Sequence, residues 1–156
     1  MNIHEIAENL KQKFSLNELT IDNNSFSITI DTIPVKVDEI ENYTIILLGV
    51  IGDPPIEKKE AFANLLLESN FELLYLKNLT IARNAELGSY VLLERLSVEQ
   101  SSFPDFLEHL EKFADTLENY HNILENFSSV AQQAATLSKE QEEDMMSAIR
   151  NGFLRA

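Results

Sequence analysis

The sequence predicts an α+β fold: an antiparallel sheet of about five strands with three helices, in the order α-β-β-β-α-β-β-α, followed by a C-terminal helical tail. Three observations predict it. Apolar residues recur at helical spacing near the amino end, in the middle and in the last third; alternating or β-branched runs lie between them; and short turn-forming links join neighbouring strand runs.

Ile3, Ile6, Ala7, Leu10 and Phe14 recur at steps of three and four, one stripe of a short helix with Glu5, Glu8, Lys11 and Gln12 turned away. Those charges also make Met1 to Phe14 unlike a signal or transit peptide. From Ser25 to Asp31, Phe26, Ile28 and Ile30 alternate with Ser27, Thr29 and Asp31, as in a strand with one buried face. Val35 and Val37 continue the alternation past Pro34, which cannot donate to a ladder and is expected at a turn or an edge. Tyr43 to Ile51 is nearly continuous in aliphatic and β-branched residues, the pattern of a central strand.

Gly52-Asp53-Pro54-Pro55 ends that strand and leads into a helix expected over Pro55 to Ser69. Ala61, Phe62, Leu65, Leu66 and Ser69 hold helical spacing, while Ala63 and Leu67 widen the stripe, which implies a second packing surface. Phe71 to Leu76 fits helix, strand or connector equally. Leu79 to Arg83 and Tyr90 to Leu96 form a hairpin around Asn84-Ala85-Glu86-Leu87-Gly88, with Gly88 placed for a positive φ. Ser101-Ser102-Phe103-Pro104 opens the longest helix, whose stripe runs through Phe103, Phe106, Leu107, Leu110, Phe113, Ala114, Leu117, Tyr120 and Leu124. Beyond Ser128 the sequence turns small and polar. Ser138-Lys139-Glu140-Gln141 then reads as a capping box for a last short helix, with Met145, Met146, Ile149 and Phe153 on one side. The expected organisation is one domain over 1–127 and an extension over 128–156.

The composition bounds the function. The chain has 156 residues, 44% hydrophobic and 24% charged, enough apolar mass for one core. Twelve Lys and Arg against 26 Asp and Glu leave a net charge of −14, which repels phosphate backbones and anionic lipid, so neither nucleic acid nor a membrane surface is the expected partner. There is no Cys, hence no disulfide, thiolate metal site or Cys nucleophile. No uncharged apolar run reaches the roughly 18 residues of a spanning helix. A cytoplasmic, soluble protein with protein partners is expected.

Catalytic groups do not assemble. His109 and His121 lie twelve positions apart on one predicted helix, about 18 Å, too far to share a metal ion, and His4 has only Glu5 and Glu8 nearby. The carboxylate clusters Asp38, Glu39, Glu41 and Glu142, Glu143, Asp144 lack the spacing of a calcium loop and read as solvated faces. The four glycines form no phosphate-cradling loop. No enzyme activity, no metal and no cofactor are expected. What remains is apolar surface: the first helix, the wide-striped second helix and the Met-containing tail carry more hydrophobic faces than one small sheet covers.

The chain resembles the class I type III secretion chaperones, the Tir-chaperone-like family of small acidic bacterial proteins that bind effectors before export. The resemblance covers Ile3 to about Phe127. It rests on element order, size and acidity, and on the strand Ile45 to Gly52 followed by Pro54-Pro55. It rests also on the segment Ala61 to Phe71, similar to the family's leucine-rich helix ending in an Asn-containing turn, and on the hairpin into Tyr90 to Leu96. The resemblance implies a cytoplasmic homodimer, with Phe62, Ala63, Leu66, Leu67, Leu79 and Ile81 at the two-fold interface. It implies that the N-terminal segment of a secreted effector wraps the dimer in extended form and is kept soluble and export-competent, with the export ATPase of the secretion apparatus as a further partner. The expected effector contacts are Ile3, Ile6 and Leu10 of the first helix and Phe26, Ile28, Ile30, Val35 and Val37 of the first strands; the alternative for these residues is plain core, packed on Phe106, Leu110 and Phe113. The competing functional class is a small sensory or immunity-type protein-binding module of similar α+β fold.

Overall fold

The computed structural model of the protein describes residues 1–16, 19–41 and 43–153, with side chains described through residue 129. Helix α1 (Ile3–Phe14) is followed by strands β1 (Ser25–Ile30), β2 (Ile33–Glu41) and β3 (Thr44–Gly52). A single 3-10 turn, Ile56–Lys58, then leads into α2 (Lys59–Lys77), the hairpin β4 (Leu79–Asn84) and β5 (Ser89–Ser97), and α3 (Phe103–Phe153). The five strands form one sheet in the order β1-β2-β3-β5-β4, with every neighbouring pair antiparallel. The expected α+β class and element order are what the structure shows, with β3 at the centre.

Local chemistry explains the element ends. Asn2 and Glu5 form a reciprocal capping box at α1, the Glu5 amide donating to Asn2 Oδ1 at 3.0 Å and the Asn2 amide to Glu5 Oε2 at 3.1 Å. Ser102 and Asp105 do the same at α3, where Pro104 occupies the first turn and gives up no needed hydrogen bond. In the β4–β5 turn Asn84 Oδ1 accepts the amides of Glu86 and Leu87, and Gly88 takes φ 65°, as its placement in the sequence predicts.

Pro34 stands at an edge, as expected, and two boundaries differ from expectation. Pro34 lies inside β2, opposite Thr29 of β1; the β2–β3 pairing begins only at Lys36↔Leu48, so at Pro34 the strand has a neighbour on one side and behaves as a local edge. Helix α2 does not stop at Ser69 but takes in the ambiguous Phe71 to Leu76 and ends at Asn78, in the left-handed conformation at φ 56°. The asparagine that ends the leucine-rich helix is therefore Asn78, and Asn70 lies inside it. The tail is helical, but its backbone continues α3 to Phe153 and does not start anew at Ser138. No Gly or Pro interrupts the chain between Pro104 and Gly152, and the Ser128 and Ser129 hydroxyls bond back to the carbonyls of Leu124 and Asn126 without breaking the helix. The expected contacts of Met145, Met146, Ile149 and Phe153 lie outside the described side chains.

One face of the sheet makes the core. Val35, Val37, Ile45, Leu47 and Leu92 are fully buried there, together with Ile3, Ile6, Ala7 and Leu10 of α1 and Phe106, Leu110, Phe113 and Leu117 of α3. Burying each Ile or Leu contributes about 1.5–3 kcal/mol, so this layer holds the fold. Gly49 lets α3 cross close over β3, because a Cβ there would collide with the Leu117 side chain. At the other end Phe62 of α2 meets Tyr90 and Phe127 edge-on, with centroids 5.7 and 5.3 Å apart, which ties α2, β5 and α3 together.

Candidate protein-binding surfaces

Helix α2 packs along β4 with Phe62, Leu66 and Leu73 turned inward. Asn70 fixes its height: the Ile81 amide donates to Asn70 Oδ1 at 2.8 Å, and Asn70 Nδ2 donates to the Ile81 carbonyl at 3.2 Å. The side-chain amide thus stands in for a neighbouring strand on the outer edge of β4. Its outward stripe is apolar: Leu67, Phe71, Leu74 and Tyr75 follow at i, i+4, i+7 and i+8 and are 69%, 75%, 60% and 81% exposed. Phe71 and Tyr75 stack at 6.1 Å with nearly parallel rings. The sheet face opposite the core adds Ile46, Leu48 and Leu93, half-buried, and the exposed Val50.

The second surface lies at the other end of the sheet. β1 is an edge strand, so its outward amides and carbonyls have no strand beside them. Next to it opens a cleft of about 520 Å³ floored by Leu16, Ile28, Ile30 and Leu107 and rimmed by Asp31, Glu111 and Asp115.

The structure distributes the expected site residues unevenly. Ile3, Ile6, Leu10, Val35 and Val37 are fully buried, Phe26 and Ile28 are 3% and 7% exposed, and Ile30 is half-buried in the cleft wall. Seven of these eight side chains therefore pack into the chain's own core, because α1 and α3 cover the face they share. Of the expected interface set, Phe62, Leu66, Leu79 and Ile81 are likewise buried, Ala63 is half-buried and Leu67 is exposed. Periodicity marks a face that is covered but does not say by what. Phe71, Leu74 and Tyr75 were hidden from sequence reading because Phe71 to Leu76 is apolar on both faces of its helix.

The histidines are placed by single partners. His109 Nδ1 is 2.8 Å from Glu94 Oε1, and His121 Nε2 donates to the Val50 carbonyl at 2.7 Å, beside the irregularity that ends β3. Burial raises the Glu94 carboxyl above its ordinary value, while His109 and Lys112 pull it down. Arg83 and Lys59 bind Asp53 and hold it below the usual carboxylate range. Among the described residues no three metal-ligating side chains cluster, and no helix is long and apolar enough to cross a membrane.

The family model of the Tir chaperone protein (CesT) family matches residues 5–121, three quarters of the chain and all of the sheet. The chain belongs to that family. The fold recurs in a chain of the HopA1–SchA chaperone–effector complex, with a TM-score of 0.64 at 13% identity, over 76% of this chain and 92% of that one. It recurs in the ExsC–ExsE complex, with a TM-score of 0.65 at 17% identity, over 80% and 97%. It recurs again in the heterodimeric ExoU–SpcU complex from the type III secretion system of Pseudomonas aeruginosa, with a TM-score of 0.60 at 14% identity, over 78% and 98%. No curated protein matches significantly. The resemblance to type III secretion effector chaperones seen in the sequence holds, and this family is one of chaperones rather than enzymes.

Proposed function

We propose that the protein is a cytoplasmic effector chaperone that acts as a homodimer and holds the N-terminal segment of a type III secreted effector in extended, soluble and export-competent form. The observation that carries the effector half is the open β1 edge lying beside an apolar cleft. A segment kept unfolded adds its backbone to the edge and sets alternate apolar side chains into the cleft, which requires no catalytic group. The effector contacts are then the backbone of β1 with Phe14, Leu16 and Ile30, while Ile3, Ile6, Leu10, Phe26, Ile28, Val35 and Val37 support the surface from beneath. The dimer half rests on the exposed stripe Leu67, Phe71, Leu74 and Tyr75, too large a contiguous apolar patch for a solitary surface helix. Delivery to the export ATPase belongs to the same reading. The family match favours it over a sensory or immunity module.

Light scattering tests the dimer. The native chain is expected at twice 17.8 kDa, and Leu67→Asp and Tyr75→Asp at 17.8 kDa and still folded, since both side chains are exposed in the single chain, with a melting temperature lowered by the lost association and no longer dependent on protein concentration. A native mass of 17.8 kDa across micromolar concentrations refutes it. Leu16→Asp in the cleft should keep the fold and weaken capture of a secreted partner's N-terminal segment by a few kcal/mol.

A further inference from the structure

The open stretch of β1 is shorter than the strand. In an antiparallel pair, residues that bond the neighbouring strand alternate with residues whose backbone faces away. The Glu39 amide donates to the Asn24 carbonyl at 2.9 Å, and counting by twos along the register puts Phe26, Ile28 and Ile30 on the β2 side and Ser25, Ser27 and Thr29 on the open side. Ser25 already exchanges both of its backbone bonds with Asp22, at 2.9 Å each. The amides and carbonyls of Ser27 and Thr29 are therefore what an added strand can take, and they fix its register. Its residues opposite Ser27 and Thr29 share their outer sheet face, whereas those opposite Ile28 and Ile30 face the covered side, where the cleft of about 520 Å³ opens.

Charge on that cleft is of one sign. Asp31 at the end of β1 and Glu111 and Asp115, one turn apart on α3, line it, and among the described residues no basic side chain does. All three carboxylates are exposed and none has an ion-pair partner among the described residues, so two like charges stand at i and i+4 uncompensated. The Lys13 ammonium lies over the Phe14 ring, 5.9 Å from its centroid, and is not one of the lining groups. The three carboxylates do not gather on one point as ligands of a metal ion would. We propose that the strand added to β1 carries an apolar residue opposite Ile28 and a lysine or arginine two positions along, opposite Ile30, its cation among Asp31, Glu111 and Asp115. The proposal rests on reading β1 as the edge that takes the bound segment, and it adds what that segment carries. Alternate residues of a strand lie on one face about 7 Å apart, so both side chains enter the same cleft, the methylene stem of the basic one against the half-buried Ile30. The spacing is fixed by the edge; the added strand can run in either direction.

The probe is the capped peptide acetyl-Thr-Leu-Thr-Lys-Thr-amide, compared with acetyl-Thr-Leu-Lys-Thr-Thr-amide, which moves the same charge one place onto the other face, and with acetyl-Thr-Leu-Thr-Gln-Thr-amide. Each is titrated into the full chain while the Ser27 and Thr29 amide signals are followed by NMR. The first peptide should bind about fivefold more tightly than either of the others, as one exposed ion pair allows. That advantage should vanish in the double variant Glu111→Gln, Asp115→Asn. It should persist in Glu57→Gln, Glu86→Gln, which removes the same charge from exposed positions off the cleft. Equal binding of the two Lys peptides, or an advantage that survives the cleft variant, overturns the proposal. So does an advantage lost equally in the distant variant, which would assign it to the net charge of −14 as a whole. Ser27 and Thr29 signals that move alike with all three peptides overturn the charge preference and leave the β1 edge as the binding strand; signals that move with none of them refute that reading as well.

Discussion

Replacing Asn70 by Ala removes the side chain that closes the outer edge of β4 at Ile81. Two hydrogen bonds are lost, one of 2.8 Å from the Ile81 amide and one of 3.2 Å to the Ile81 carbonyl, both partly buried. At about 0.5–1.5 kcal/mol each, the loss is about 1–3 kcal/mol. Ala is the better helix former by about 0.6 kcal/mol, which offsets part of it and leaves a net cost of about 1–2 kcal/mol. For a chain of this size that lowers the melting temperature by about 2–8 °C, at matched protein concentration. Calorimetry reads the temperature, and amide hydrogen exchange reads the site: protection of the Ile81 amide should fall by about tenfold while that of Leu47, in the sheet centre, changes only as far as global stability does. Asn70→Asp keeps the acceptor for the Ile81 amide and loses the donor, so it should protect that amide better than Ala does. An Asn70→Ala variant with unchanged Ile81 exchange and a melting temperature within about 1 °C of native would show that the amide pair does not hold α2 on the edge.

Three further outcomes follow from single groups. Gly49→Ala should destabilise by about 1–3 kcal/mol in urea unfolding, since its Cβ meets Leu117 in a layer where that leucine is fully buried; a neutral result would mean α3 rides higher over β3 than described. Asp53, held low by Arg83 and Lys59, contributes stability that is present above its unfolded value of 3.8 and is lost as pH falls through its lower folded one, so the deficit of Asp53→Asn should disappear in acid. Glu94 has the opposite sign. Its folded value is raised by burial, so its contribution is full below 4.5 and lost as pH rises through the folded value, and Glu94→Gln should gain on the native protein between acid and neutral pH; a pH-independent difference contradicts the burial argument.

Local signals were legible where one face alone is buried. The stripe of α1, the alternation of β1 and β2 and the hairpin at Gly88 each carry one period and one kind of turn, and each appears where the pattern puts it. The pattern failed where two surfaces compete for the same residues. In Phe71 to Leu76 the inward Leu73 and the outward Phe71, Leu74 and Tyr75 together erase the helical period, and the helix extends eight residues beyond the expected end at Ser69. Ser128 to Ala135 looked like a break because it is small and polar, yet Ala and Gln are good helix formers and nothing there ends a helix. The functional surface was legible as an excess of apolar faces but not by residue. Ile6 and Leu67 look alike in sequence, and only the covering of the sheet by α1 and α3 makes one core and the other surface. The Glu94–His109 and Asn70–Ile81 pairs join separate elements and leave no local trace.

The most direct measurement is co-expression of the chain with the N-terminal segments of secreted proteins encoded beside it, followed by co-purification and light scattering of the product. The account predicts a stable complex of two chains of 17.8 kDa with one segment, lost on Leu16→Asp while the fold is kept. A chain that purifies alone with every segment, or a complex indifferent to Leu16→Asp and to the β1 edge, would contradict it.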